Sequence, residues 1–526
     1  MRFIDAAAVR GALTFPKLIA GLEAGHKRPQ MEVQDAFLGD DEERYFVRHA
    51  VDPGRDSQAV RDALKQADNR LKSLPTIRKS DLELRNLTPL PRYKALNHIL
   101  SGLRGGDYEF YIRGLDELNV KPMQGFASLE ALDNGKTRGD ALMVDLPLSS
   151  EIFRYYAGWA TKIEGSAIPT AGGLAQHVYT RREPVGVVGA IVPWNFPLLM
   201  CAYKAGPSLA AGNTIVIKPA EQTPLSALRL ADVVQELGFP PGVVNVVTGD
   251  GPSAGAPLAA HPGVDKITFT GETGTGQKIL EASKANLKRV SLELGGKSPN
   301  IVFADADLDA AVEGTYGAVY FNQGQCCIAG ARVYVHEDVH EAFVEKLLAK
   351  LKAVRLGSGL SAETDMGPLV SSEQAERVTG YIDSALAEGA TELAGGGRAE
   401  LEAELAGGYF VRPALFTDVT PEMRVMREEV FGPVGMVSRF SDEEAVIAAA
   451  NDTQFGLAAG LWTADVKRAH RVAAELHAGT VWINTYGFFD VAVPYGGFRM
   501  SGYGKELGRE ALDPYLQTKS VWTDLS

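Results

Sequence analysis

The sequence predicts a parallel α/β protein, and three observations carry that prediction. From about Val185 onward, short β-branched runs alternate with amphipathic helical stretches, as in VGVVGAIV, ALRLADVVQELG and GVVNVVTG. The rhythm restarts near Ser298, where SPNIVF reads as a strand, DADLDAAVEGTYGAVYF as a helix and ARVYVH as a strand again, implying a second α/β unit. A chain of 526 residues also exceeds one compact domain, so at least two domains sharing an interface are expected.

In chain order, SQAVRDALKQADNRLKSL is helical in period, whereas LTPLPRYKALNHILSGLRGGDYEFYIRG follows neither period, so the first 125 residues are assigned to no regular architecture. AQHVYTRREP and LQTKSVWTDL alternate apolar with polar residues and read as strands exposed on one face. Such strands, lacking a local partner, often pair between subunits. NTIVIKPAE reads as a buried strand running into a loop, and the helix after it has Thr223 as its expected cap and Gly238 as its stop. Ligands gather at strand ends of this kind. AEGATELAGGGRAELEAELAGG reads as a solvated helix and turn, and no repeat of 20 to 50 residues is visible.

A net charge of −13 without a dense Lys/Arg run argues against a nucleic-acid partner. The three cysteines, Cys201, Cys326 and Cys327, are too few for a disulfide framework and wrongly spaced for a zinc ribbon, which suits a reducing cytoplasm and no metal site. The opening MRFIDAAAVRGALTF lacks the apolar core and cleavage site of a signal peptide. The apolar stretch from Val185 to Ala220 is broken by Pro193, Asn195 and Lys204, so no membrane span is expected.

Four segments place reactive or polar groups beside glycines and prolines at the ends of apolar strands: PWNFP at 193–197, LELGGKSPN at 292–300, NQGQCC at 322–327 and EEVFGPV at 428–434. In this order and at these separations they resemble the aldehyde dehydrogenase superfamily, from about Leu129 in LEALDNGK to the C-terminus. The resemblance implies a Rossmann-like NAD-binding domain (1–165 and 186–295), an α/β catalytic domain (296–505) and a small strand flap (166–185 and 506–526) that joins subunits into a homodimer or homotetramer. It implies oxidation of an aldehyde to its carboxylic acid with NAD, through a cysteine thiohemiacetal and thioester. The opening FIDAAAVRGALTFPKLIAGLEAG departs from that pattern and is similar to the start of ornithine cyclodeaminase-like proteins.

A thiol is only slightly ionised near neutrality, so a nucleophilic cysteine needs a base or positive potential. An arbitrary Cys-Cys pair is more often structural. In the family the nucleophile stands three places after the motif's glycine, so Gly324 selects Cys327 and leaves Cys326 as its neighbour. Attack on an aldehyde makes an alkoxide whose charge must be held. Asn195 resembles the family's donor, acting with the Cys327 backbone N–H, although an isolated N-F-P would read as a turn. Glu293 resembles the general base that activates water against the thioester, a role that acyl transfer to coenzyme A would not need. Lys204 in AYKAGP and Glu506 in GKELG match a proton relay, where charged residues near helix ends are otherwise solvated.

For the cofactor, FTGETGTG at 269–276 replaces the usual G-x-G-x-x-G, yet Gly271 and Gly276 fall where the family binds pyrophosphate over a helix start. Glu272 stands where members commonly carry serine; a carboxylate beside pyrophosphate is awkward, so it is expected to turn outward. Lys218 and Glu221 resemble the pair that grips the adenine ribose, favouring NAD over NADP. Glu429 and Phe431 resemble the nicotinamide-ribose contacts, and Ile191, Pro193, Trp194 and Leu294 complete the implied set. The implied substrate positions are Phe196, Tyr203, Phe321, Phe489 and Tyr495. All are aromatic and none is arginine, which points to apolar aliphatic or aromatic aldehydes over semialdehyde acids. A coenzyme A-acylating dehydrogenase and a non-enzymatic crystallin-like homologue are the alternatives.

Overall fold

The computed structural model describes residues 120–171, 175–236, 239 and 242–526, together with three short strands, β1 (Phe3–Ile4), β2 (Val33–Leu38) and β3 (Tyr45–Ala50). The helix expected at 57–74, the Gly238 stop and most of the cyclodeaminase-like opening lie outside the described residues. Among the described residues no helix is long and apolar enough to cross a membrane.

The alternating rhythm from Val185 becomes a seven-stranded sheet. Its strands are β5 (Val187–Ile191), β6 (Thr214–Lys218), β7 (Val244–Val247), β8 (Lys266–Thr270), β9 (Arg289–Glu293) and β17 (Gly502–Tyr503), in the order β1-β7-β6-β5-β8-β9-β17. Every neighbouring pair is parallel except β17 on β9, where the chain returns from its far end to pair Gly502 with Glu293. Strands such as VVGAI and the IVI of TIVIK read as unbroken apolar runs because helices cover both faces of a parallel sheet.

The second rhythm forms another sheet, from β10 (Pro299–Val302), β11 (Arg332–His336), β12 (Thr391–Ala394), β13 (Ala414–Thr417), β14 (Val434–Phe440), β15 (Ala458–Trp462) and β16 (Thr480–Ile483), in the order β12-β13-β14-β11-β10-β15-β16. Only β12 runs antiparallel. It comes from TELA, inside the segment read as a solvated helix and turn; its side chains are exposed or half-buried, so an edge strand carries no apolar signal there.

The two alternating segments are β4 (Gln176–Pro184) and β18 (Leu516–Asp524), and they find each other within one chain, in nine antiparallel pairs from Gln176–Asp524 to Pro184–Leu516. The two segments assigned to one flap thus pair with each other, although neither has a partner nearby in sequence. A partner more than 300 residues away in sequence is invisible to local pattern.

Four helices pack beside the first sheet and against one another: α1 (Val120–Asn134), α2 (Leu146–Ala157), α3 (Pro197–Ala210) and α4 (Leu225–Glu236). Pro197 starts α3, where a missing N–H costs nothing. Thr223 does not cap α4: its hydroxyl makes no hydrogen bond among the described residues, and the N–H of Leu225 instead donates to Asp133 Oδ2 at 2.8 Å. A carboxylate from α1 already fills the capping position.

Because β5, β6, β8 and β9 are parallel, their carboxyl ends share one edge of the sheet. PWNFP follows β5, KPAE ends β6, FTGETG ends β8 and Glu293 ends β9, so the four segments arrive together by topology alone.

Candidate active site

The loop before Cys327 is conformationally demanding. Asn322, Gln323 and Gly324 take φ of 51°, 57° and 66° in succession. Left-handed backbone at a non-glycine residue costs of order 1 kcal/mol and persists only when the surroundings impose it. Here they do. Asn322 Nδ2 donates to Asn195 O at 2.9 Å and Gln325 O at 3.2 Å, Gln323 Nε2 donates to Gly135 O at 2.8 Å, and Gln325 Oε1 accepts from Val370 N at 3.1 Å. A Cβ on Gly324 would stand 2.2 Å from Gly432 O, and one on Gly296 2.4 Å from Cys327 O. The glycines of three motifs thus let their backbones lie against one another.

Cys327 lines a cavity of about 1000 Å³ that also receives Asn195 and Glu293. Its Sγ lies 3.4 Å from Tyr495 Oη. The adjoining Cys326 thiol, and then burial, push the Cys327 thiol well above its ordinary range, with the Glu429 carboxylate adding to the effect. Sequence reasoning asked for a base or positive potential; among the described residues the cavity holds the carboxyl of Glu293 together with those of Glu429 and Glu272.

Glu293 is the residue predicted as that base. It is buried, neither carboxylate oxygen has a hydrogen-bond partner among the described residues, and burial followed by the nearby Glu506 charge raises its pKa well above the usual carboxylate range. Gly496, at φ +148°, makes room for it: a Cβ there would stand 2.4 Å from Glu293 Oε1. Behind it, buried Lys204 and Glu506 form an ion pair at 2.5 Å. Asn195, 4% exposed, donates through Nδ2 to Gln325 O at 3.1 Å. That contact ties the amide to the cysteine's own loop and leaves its second N–H for a ligand.

The other side of the cavity suits a dinucleotide. Glu272 precedes α5 (Thr273–Ser283) in extended conformation without capping it, so the first N–H groups of the helix face outward unsatisfied by a cap. The Glu272 side chain is exposed, touching Thr275 Oγ1 at 3.4 Å, though it does line the cavity. Gly271 N donates to Glu293 O at 3.1 Å, and Gly276 packs on Leu294, its absent Cβ only 2.8 Å from Leu294 Cδ2. Glu429 Oε1 accepts from Gly296 N at 2.9 Å, and burial pushes its pKa up to about 7. A Cβ on Gly295 would collide with Glu429 at 2.2 Å, so GG is a cradle for that carboxyl. The Trp194 and Phe431 rings meet edge to face at 5.2 Å. At the end of β6, buried Lys218 holds Glu221 at 3.1 Å, with the Glu221 side chain 48% exposed.

All five aromatic positions line the same cavity. Phe196 and Phe321 stack at 6.2 Å, and Tyr495 meets Phe489 at 5.3 Å and Tyr203 at 6.5 Å, edge to face. Pro193, Trp194, Gly271, Glu272, Leu294, Glu429 and Phe431 line it too. Ile191, Lys204, Lys218, Glu221, Gly276 and Glu506 do not. Lys204 and Glu506 pair with each other outside the lining, while Ile191 and Gly276 are packed into the sheet and helix that frame the cavity.

Sequence reasoning missed several lining residues: Met143, Leu148 and Glu151 on and before α2, Met200 on α3, Phe488, and Arg377. The α2 residues look like any amphipathic helix. Arg377 donates to Glu429 O at 2.9 Å and lies over the Tyr381 ring, on the Glu429 side of the cavity. Among the described residues no group of three His, Cys, Asp or Glu side chains is placed to hold a metal ion.

The model of the aldehyde dehydrogenase family matches residues 113–521. The chain is 50% identical over 396 residues to a mitochondrial aldehyde dehydrogenase of Mesocricetus auratus, covering 75% of this chain and 78% of that one. It is 47% identical over 427 residues to an aldehyde dehydrogenase of Agaricus bisporus, covering 81% and 83%. The solved NAD+ complex of a Bacillus cereus aldehyde dehydrogenase superposes with a TM-score of 0.75 at 46% identity, covering 88% of this chain and 89% of that one. This chain belongs to the aldehyde dehydrogenase family, and its chemistry is the oxidation of an aldehyde to a carboxylic acid.

Proposed function

We propose that Cys327 carries out this oxidation on apolar aliphatic or aromatic aldehydes, with NAD as the hydride acceptor. The observation that carries the reading is the convergence of Cys327, Asn195 and Glu293 on one cavity whose remaining walls divide into an aromatic side and a glycine-and-glutamate side.

Glu293 in its carboxylate form takes the thiol proton, and Sγ bonds to the aldehyde carbon. The Asn195 amide and the Cys327 backbone N–H hold the resulting alkoxide. NAD held by Trp194, Gly271, Glu429 and Phe431 would supply the hydride acceptor, and the alkoxide, on losing its hydride, becomes a thioester on Cys327. Once Glu293 has passed on the thiol proton it takes a proton from water, the hydroxide adds to the thioester carbon, and the carbon–sulfur bond breaks to release the acid and the Cys327 thiolate. Lys204 and Glu506 carry the proton away from Glu293. A base placed for water supports hydrolysis over transfer to coenzyme A, and the complete set of three groups supports an enzyme over a crystallin-like homologue.

Asn195→Ala is expected to lower kcat by about 10²–10³, the usual loss of one oxyanion donor. Steady-state NADH formation checks it.

Glu221 held by Lys218 at the end of β6 supports NAD over NADP, since a carboxylate there repels a 2′-phosphate. The aromatic wall supports apolar aldehydes. In one aldehyde panel run with each cofactor, kcat/KM for hexanal or benzaldehyde with NAD should exceed that for succinic semialdehyde by roughly 10-fold or more. A preference for the acid would overturn the substrate assignment.

We also propose the three-part division and a homodimer or homotetramer. A two-stranded ribbon is marginal alone, and the β4–β18 ribbon exposes most of its side chains, including Trp522 at 62%. Light scattering at micromolar concentration should give a mass at least twice that of one chain; a stable monomer would contradict it. Three free cysteines support a reducing, cytoplasmic setting.

A further inference from the structure

LEALDNGK, at 129–136, contributes none of the reacting groups, yet it lies within the matched family region. It closes α1. Asn134 is the last helical residue, and Gly135 turns the chain out at φ +98°, with Pro368 O only 2.4 Å from where a Cβ would stand. Beyond helix capping, this turn touches both loops of the proposed oxyanion site. Asn134 Nδ2 donates to Trp194 O at 2.8 Å and to Asn195 O at 3.4 Å. Gly135 O accepts from Gln323 Nε2 at 2.8 Å, in the loop that leads to Cys327. Lys136 Nζ, paired with Asp145 at 2.5 Å, stands 4.2 Å from the Phe196 ring centroid. Asn134 and Lys136 are each 1% exposed.

We infer that Asn134 is the positioning residue of the oxyanion site, fixing the peptide planes on both sides of Asn195 while its turn anchors the loop that carries Cys327. The inference rests on Asn195 being the oxyanion donor. Its residue type is set by the contacts. Asn134 Oδ1 accepts from Lys136 N at 3.1 Å, so the amide has one orientation, with its NH₂ toward the two carbonyls. An aspartate would keep the acceptor and set a carboxylate against two carbonyl oxygens. Alanine would leave both carbonyls to rearrange, and a donor displaced by about 1 Å can cost up to 10²-fold in rate. The substrate and cofactor walls are built from other residues, so the loss belongs in kcat.

A double-mutant cycle tests this. Asn134→Ala is expected to lower kcat by about 10- to 10²-fold, with KM for aldehyde and NAD within about 3-fold of the parent. In an Asn195→Ala background the same change should cost less than about 2-fold, because the group being positioned is gone. Should Asn134→Ala not fold, Asn134→Asp, of equal volume and with its acceptor kept, carries the same cycle. Equal losses in both backgrounds, or a loss confined to KM, would overturn the inference while leaving Asn195 as donor. An Asn195→Ala variant with parental kcat would sink the donor assignment, and this inference with it.

Discussion

Replacing Cys327 by serine should lower aldehyde-dependent NADH formation by about 10⁴ or more, because a hydroxyl is far less acidic than a thiol and a buried carboxylate such as Glu293 is too weak a base to ionise it. The fold should survive, since Cys327 is only half-buried and serine is slightly smaller. Cys326 remains in place in that variant, which separates the two cysteines directly. If Cys327→Ser retained most of the activity, the adjoining thiol or some other group would have to be the nucleophile. Stopped-flow NADH absorbance alongside thermal melting reads both sides of this prediction.

Glu293→Gln carries the second large effect, and it should divide the reaction in two. Glutamine keeps the shape of the side chain and its place against Gly496, but it cannot accept a proton from water. Steady-state turnover should fall by about 10²–10⁴, while a first turnover, slowed by the loss of thiol activation, leaves acyl-enzyme behind. The parent's pH dependence comes from the same group. Glu293 works as a carboxylate, and burial with the neighbouring Glu506 raises its folded pKa, so activity is lost as pH falls through a point well above the ordinary carboxylate range. Loss only below about pH 4.5, the range of an exposed glutamate, would contradict its burial as the controlling feature. The pH profile of kcat/KM measures this point.

Much of the site was legible because its chemistry is concentrated in four short motifs, and parallel strand ends bring such motifs to one edge. PWNFP, LELGG, NQGQCC and FGP meet through glycines whose missing Cβ atoms are the condition for contact, as at Gly324 against Gly432 and Gly296 against Cys327. What was not legible depends on distance in sequence or on surroundings. The depressed thiol pKa that a nucleophile suggests is absent, because Cys326 and burial act against it. Arg377 reads as an ordinary helix-surface cation until its guanidinium is found on the Glu429 carbonyl. Thr223 has a good capping sequence but loses the position to Asp133, which lies 92 residues before the Leu225 N–H it accepts from. The TELA strand escapes for the same reason: the partner that stabilises it lies elsewhere.

The central claim is that the acyl group resides on the sulfur of Cys327. Intact-protein and peptide mass spectrometry of Glu293→Gln, quenched in acid after mixing with hexanal and NAD, tests it most directly. The account predicts one hexanoyl group per chain, borne by Cys327 with Cys326 unmodified. An acyl group on Cys326 or another residue, or NADH formation with no protein adduct at any time, would contradict it.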